Sequence, residues 1–166
     1  MLNQASPEVY PDLTSDRRFA FVPQGGGTLR QWVSNRYLKD LDRVEFHLYD
    51  NDVDEYKETA RQVNARGDGS LAIITSKLMM ENYLHPDAVF DALGVHVEIT
   101  AECNLPEVVV EATRTTDGVR PVRKQIVKSI LADAGFGHMT LERLEESDPD
   151  GDVKGWLETL VEMSRR

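Results

Sequence analysis

Cysteine is nearly missing from this chain: Cys103 stands alone. One thiol excludes an internal disulfide and a cysteine-based zinc cage. Aromatic residues are sparse, at 7%. Hydrophobic runs are short, and none approaches the roughly 20 residues needed to cross a bilayer. The first residues, Met1-Leu2-Asn3-Gln4-Ala5-Ser6-Pro7, hold neither a basic nor an apolar segment. No signal peptide and no membrane association are therefore expected, and the chain reads as cytoplasmic. Positive charge is also scarce, with 19 Lys and Arg against 29 Asp and Glu and a net charge of −10. That balance argues against a general nucleic-acid binder, because phosphate contacts need clustered cations. Placement nevertheless outweighs the total.

What is present fits one soluble domain with a sizeable core: 166 residues, 40% hydrophobic and 29% charged. One basic island interrupts the acidic chain. Arg114, Arg120, Arg123, Lys124 and Lys128 face only Asp117 as an opposing charge between positions 114 and 128. The alternative reading of that island is a solvated helix face.

The organising stretch is Val44-Glu45-Phe46-His47-Leu48-Tyr49-Asp50-Asn51-Asp52. Val44, Phe46 and Leu48 alternate with more polar residues, the period of a half-buried strand. Asp50 and Asp52 fall where that strand runs out. Residues i and i+2 of an extended segment project to one side with Cα atoms roughly 6.5 Å apart. Two carboxylates brought to about 4 Å repel by about 4 kcal/mol at an effective dielectric of 20. A hard divalent cation such as Mg²⁺ removes that penalty. Ligands of open α/β sheets bind at the carboxyl ends of strands, so this is where a Mg²⁺-type site acting on phosphate is expected. The alternative is a pair of solvated turn aspartates.

Around this stretch the chain reads as follows. Residues 1–18 form a lead-in arm with two prolines and no periodicity. Phe19-Ala20-Phe21-Val22 is an expected buried strand stopped by Pro23. Gly25, Gly26 and Gly27 then make a turn whose N–H groups could hold a phosphate at a helix start, or simply turn the chain. No Gly-Lys-Ser/Thr follows, which excludes a Walker loop. Thr28 is the expected N-cap of an amphipathic helix carrying Leu29, Trp32, Val33, Tyr37, Leu38 and Leu41. Asp54 to Gly67 reads as a surface helix with a glycine stop. Leu71-Ala72-Ile73-Ile74-Thr75 is the next buried strand.

Alternation of strand and helix implies parallel pairing, hence an α/β sheet with flanking helices over residues 19–100. The segment Ser76 to Pro86 suits a short helix closed by Pro86. Lys77 and Glu81 are expected on the rim with Asp50 and Asp52, Lys77 to meet a phosphate and Glu81 to complete a metal shell. Ordinary surface charges are the alternative for both.

The succession Val22-Pro23-Gln24-Gly25-Gly26-Gly27, Leu48-Tyr49-Asp50-Asn51-Asp52 and Thr75-Ser76-Lys77, leading into Glu81-Asn82-Tyr83-Leu84, resembles the Toprim domain of the overcoming-lysogenisation-defect (OLD) family of nucleases. The specific motifs cover roughly residues 19–90. The resemblance implies a Toprim-like parallel sheet, an associated ABC-type ATPase domain or subunit, and hydrolytic nicking or cleavage of DNA with Mg²⁺ or Mn²⁺. It implies Asp50 and Asp52 as metal ligands, Glu81 as a further ligand, and Lys124 or Lys128 neutralising charge at phosphate. Lys77, Arg120 and Arg123 join the glycines as phosphate contacts. A homo-oligomer is compatible with this reading.

One departure concerns the first Toprim strand and its terminal glutamate. Glu8, in Pro7-Glu8-Val9-Tyr10-Pro11, has too little chain after it for the helix that should follow. The strand then belongs to a longer protein, or to a partner, or the site is incomplete and the chain is an interaction module for an ATPase and DNA. Leu48 to Val53 also matches in outline the nucleophile motif of haloacid-dehalogenase-like phosphatases, with Ile73-Ile74-Thr75 as their second motif. Against that, their nucleophile strand normally opens the domain, and a late strand ending in paired aspartates is missing here.

Residues 101–166 read as a mainly helical extension. Val95-His96-Val97-Glu98-Ile99 alternates like a strand, with His96 a half-exposed strand residue. Leu105 to Ala112 is either a β-branched strand or a helix begun at Asn104. Arg123 to Ala134 is a helix with Lys124 and Lys128 on one face. Thr140 caps a short helix, and Asp148-Pro149 opens the last. Asp148, Asp150 and Asp152 fail the EF-hand test, since position 159 is Thr159 and Gly151 is misplaced; Asp50, Asp52 and Asp54 fail it at Glu55.

Overall fold

The computed structural model describes residues 2, 6, 9–10, 12–22, 26–41 and 43–165. Gly25 and Glu8 lie outside the described residues. The chain forms a mixed α/β structure divided into two compact units, one of Leu2–Thr75 with Lys154–Arg166 and the other of Ser76–Val153. The division falls inside the stretch 19–100 expected as one core.

The first unit is built on a β–α–β succession: β1 (Phe46–Tyr49), α2 (Asp54–Asn64) and β2 (Leu71–Ile74), preceded by α1 (Gly26–Asn35). The strands pair in parallel, with Phe46 opposite Leu71 and Tyr49 opposite Ile74. Parallel strands need a crossover, and α2 supplies it. Its buried residues Thr59, Ala60 and Val63 recur at helical spacing. Ala60 and Val63 join Leu29, Val33, Tyr49 and Ala72 in one apolar cluster. Complete burial of Val63 contributes about 1.5–3 kcal/mol.

Among the described residues the sheet has two strands. Phe19 to Val22 is not a strand, and Phe21 and Val22 are 65% and 47% exposed. Nor does Val95 to Ile99 join a sheet, although Val95 is buried and His96 exposed as alternation requires. A strand needs a ladder partner, and neither segment has one here. On β1 the apolar set is not the deeper one. His47 and Tyr49 are buried, Phe46 and Leu48 only half-buried, and Val44 exposed. Helix α1 begins at Gly26, so Thr28 is an interior residue rather than the cap. A positive φ at Arg36 (48°) follows its end and leaves Tyr37 and Leu41 exposed. The lead-in is tied down at Tyr10, which is buried and donates its hydroxyl to Glu158 at 2.9 Å.

The second unit contains a 3-10 turn (Met80–Tyr83), α3 (Pro86–Leu93), α4 (Leu105–Thr115), α5 (Lys124–Ile130), α6 (Leu141–Ser147) and the start of α7 (Asp152–Met163). Pro86 opens α3 rather than closing a helix, because the first helical position needs no N–H. Gly94 ends α3 at φ 69°, a conformation that favours glycine. Asn104 caps α4, so the 105–112 stretch is helical. Helix α5 runs into a π-turn, Leu131–Gly135. There a Cβ on Gly135 would stand 3.3 Å from Leu84 Cδ1. Thr140 caps α6, and the buried Asp148 carboxylate accepts from the N–H groups of Asp152 (3.1 Å) and Val153 (2.9 Å) at the start of α7. Among the described residues no helix is long and apolar enough to cross a membrane.

The outer edge of β2 carries its own cover. Asn64 donates to the Ala72 carbonyl at 3.0 Å and accepts from the Ala72 N–H at 2.7 Å, as a neighbouring strand would. Asn64→Ala removes both bonds while improving helix propensity. The expected result is a net loss of about 1–2 kcal/mol in urea unfolding, whereas Glu58→Ala on the exposed face of α2 stays within about 0.5 kcal/mol of wild type.

Candidate functional site

Strand β1 delivers Asp50 and Asp52 to its carboxyl end, as the alternation predicts. Asp50 is half-buried, Asp52 is exposed in the turn that follows, and Val53 is extended before α2 begins at Asp54. Tyr56, one turn into α2, packs its ring 5.7 Å from that of Tyr49. Burial raises the Tyr56 phenol above its ordinary value, and the Asp52 and Asp50 carboxylates raise it further. Glu55 acts in the same direction, so the phenol faces three carboxylates around the strand end. Asp54 is held below the usual carboxylate range by the Lys57 ammonium at 2.9 Å.

Immediately behind this end lies a buried polar network. Glu45 accepts from Arg66 Nη1 (3.0 Å), Trp32 Nε1 (3.1 Å) and His47 Nε2 (2.9 Å). Tyr49 Oη lies 2.7 Å from His47 Nδ1, and Arg66 also donates to the Val33 carbonyl at 3.0 Å. Burial lowers the His47 pKa, opposed by the Glu45 carboxylate and aided by the positive charge of Arg66. Burial also raises the Tyr49 phenol. The alternation of Glu45, His47 and Tyr49 was visible in the sequence, but nothing there paired them with Trp32 and Arg66.

The other expected residues fall in the second unit. Lys77 is half-buried and donates to the carbonyls of Asn82 (3.1 Å) and Ser147, with its ammonium 4.7 Å from the Tyr83 ring centre. Burial lowers its pKa, opposed by Asp148, Asp152 and Asp150. Asp152 Oδ2 accepts from the hydroxyls of Ser76 and Tyr83 (2.7 Å for the latter), and burial pushes the Tyr83 phenol up to about 12. Sequence reasoning did not link these residues, because the pairing spans the whole unit. Asn82 is buried and donates to the carbonyls of Thr100 (2.7 Å) and Cys103 (2.8 Å). Glu81 is half-buried on the 3-10 turn.

The basic island lies on the end of α4, the loop after it and α5. Arg114, Arg120, Arg123, Lys124 and Lys128 are all exposed. Lys124 is paired with Glu107 at 2.6 Å and Arg114 with Glu111 at 3.4 Å. Gly26 and Gly27 form the first turn of α1 in the other unit.

Among the described residues no group of three or more His, Cys, Asp or Glu side chains is gathered to hold a metal. Mg²⁺ is commonly held by one or two carboxylates plus waters and substrate phosphates. Asp50 and Asp52 fit that sparse donor set and do not fit an all-protein cage. A cleft of about 400 Å³ opens beside Asn64, Gly67, Ser70, Leu71, Thr159 and Met163, at the amino end of β2. Sheet chemistry belongs at the carboxyl end, so this cleft is not the candidate site. Comparisons with family models, curated proteins and solved structures give no match.

Titration of Tyr56 tests the influence of the two aspartates. The wild-type phenol should titrate above 10, and both Asp50→Asn and Asp52→Asn should lower its midpoint, read by ultraviolet difference spectra with Tyr56→Phe as the assignment control. An unchanged midpoint in both variants would separate the carboxylates from this site.

Proposed function

We propose that the chain is a divalent-metal-dependent nuclease module of the OLD/Toprim type, working on DNA together with an ATPase domain or subunit. The observation that supports this reading is the parallel β1–α2–β2 unit that ends its first strand in Asp50-Asn51-Asp52, with both carboxylates acting on Tyr56. The resemblance of the glycine, D-x-D and E-N-Y-L stretches supports the family.

Asp50 and Asp52 would hold Mg²⁺ or Mn²⁺. A bound cation there supplies charge neutralisation for phosphate oxygens. The chain's own contribution is to place two carboxylates at a strand end and to present exposed cations to DNA phosphates. Arg120, Arg123, Lys124 and Lys128 do the latter. Lys124 reaches phosphate only by leaving Glu107; an exposed pair contributes about 0–1 kcal/mol, so the exchange is cheap. The resemblance assigns Glu81 as a further ligand, and it belongs to the second unit.

A second reading is a catalytically incomplete Toprim-like interaction module that contacts an ATPase and DNA. The specific observation in its favour is that no third donor joins the aspartates among the described residues.

Nicking of supercoiled plasmid separates the two readings, with a generic phosphatase substrate in parallel for the haloacid-dehalogenase-like alternative. The nuclease reading expects Mg²⁺- or Mn²⁺-dependent nicking, lost in Asp50→Asn and Asp52→Asn and reduced about 10²–10³-fold when the assisting lysine, Lys124 or Lys128, is changed to Ala. Cation binding without nicking supports the interaction module. Phosphatase turnover without nicking removes both Toprim readings.

A further inference from the structure

The buried network behind β1 has a polarity that the nuclease reading does not use. Glu45, His47 and Tyr49 lie at i, i+2 and i+4 on one face of the strand segment, with Trp32 from α1 and Arg66 from the turn after α2 packed against them. The side chains of Glu45, His47 and Arg66 are 10%, 8% and 5% exposed. An ionised carboxylate only accepts hydrogen bonds, so the His47 hydrogen belongs on Nε2, facing Glu45. Nδ1 is then an acceptor, and the Tyr49 hydroxyl 2.7 Å away is its donor. Every polar atom of the imidazole is matched when the ring is neutral.

A proton arriving from solvent at Nδ1 changes this. Nδ1–H then becomes the donor, and the Tyr49 hydroxyl must turn its own hydrogen away from the ring and accept instead. Tyr49 belongs to the apolar cluster of the first unit and packs against Tyr56. The charged groups that face His47 are Glu45 and Arg66, with Asp68 beyond them, itself paired with Arg36 at 2.6 Å. Glu45 favours the added proton, while Arg66 and burial oppose it.

We infer that His47 is a proton-operated latch: neutral, it accepts from Tyr49 and fastens the carboxyl end of β1 to the Glu45–Arg66 pair, and protonated, it reverses that bond, turns the buried Tyr49 hydrogen out of it and loosens the strand end. The inference concerns the fold of the first unit and stands apart from any nuclease activity.

The sign of the stability effect follows from the lowered His47 pKa. The unfolded chain takes up the proton near the ordinary value of 6.5 and the folded chain only below it. Stability is fully present above about 6.5 and falls as pH drops from there to the folded pKa.

The test is a pH titration followed by NMR of the His47 ring and the Tyr49 ring on the intact chain. The latch expects a His47 midpoint below 6.5, with Tyr49 resonances moving at the same midpoint. Tyr49→Phe removes the donor to Nδ1 and should shift the His47 midpoint upward. His47→Gln keeps an N–H for Glu45 and an acceptor for Tyr49 but takes up no proton. It should therefore abolish the Tyr49 transition between about pH 5 and 7, a window set by the ordinary histidine value. A His47 midpoint at or above 6.5, a Tyr49 ring indifferent to it, or a transition that survives in His47→Gln would each overturn the latch. Should Tyr49→Phe fail to fold, the wild type and His47→Gln decide the question alone.

Discussion

Arg66 and Glu45 meet at 3.0 Å in the interior of the first unit, and much of that unit depends on the contact. A carboxylate withdrawn from water must be paired and hydrogen-bonded. Removing one partner of such a pair typically costs about 3–5 kcal/mol, while replacing both with apolar groups of matching shape can be neutral. The pair therefore specifies an arrangement more than it adds stability. Arg66 also binds the Val33 carbonyl, and Glu45 also binds Trp32, so α1, β1 and the turn after α2 are held to one geometry. With the start of β1 anchored in this way, its end has a defined place for Asp50 and Asp52.

Beyond the Glu45–Arg66 pair, three carboxylate settings contrast among the described residues. Asp148 is buried and satisfied by two backbone N–H groups at the start of α7. Asp152 is satisfied by the Ser76 and Tyr83 hydroxyls. Asp50 and Asp52 instead lie near Tyr56, whose phenol is raised first by burial and then by these carboxylates and Glu55. The first two arrangements stabilise a fold.

The Glu81-Asn82-Tyr83-Leu84 stretch divides along the same line. Asn82 closes two carbonyls, Tyr83 ties the unit to Asp152, and Leu84 packs where Gly135 leaves room for it. Three of its four residues thus have a packing reason for their identity, and Glu81 is the one left half-buried. A motif of this kind reports a fold as much as an activity.

Local physics made much of the chain legible in the sequence. Period-two alternation and its end at Asp50, the helix of Asp54 to Asn64, the parallel pairing that a β–α–β succession demands, and the helix starts at Thr140 and Asp148 all depend on residues close in sequence, while 105–112 stays open between strand and helix. Tertiary structure alone decided the rest. Phe19 to Val22 and Val95 to Ile99 have strand-like composition but no ladder partner among the described residues, and a strand is defined by its partner. Hydropathy pointed to Phe46 and Leu48 as the inner face of β1, whereas His47 and Tyr49 are the buried ones, because Trp32 and Arg66 arrive to satisfy the polar side. No local rule links positions 76 and 152 or 45 and 66. Those contacts exist because the folded chain brings donors to acceptors that would otherwise be costly to bury.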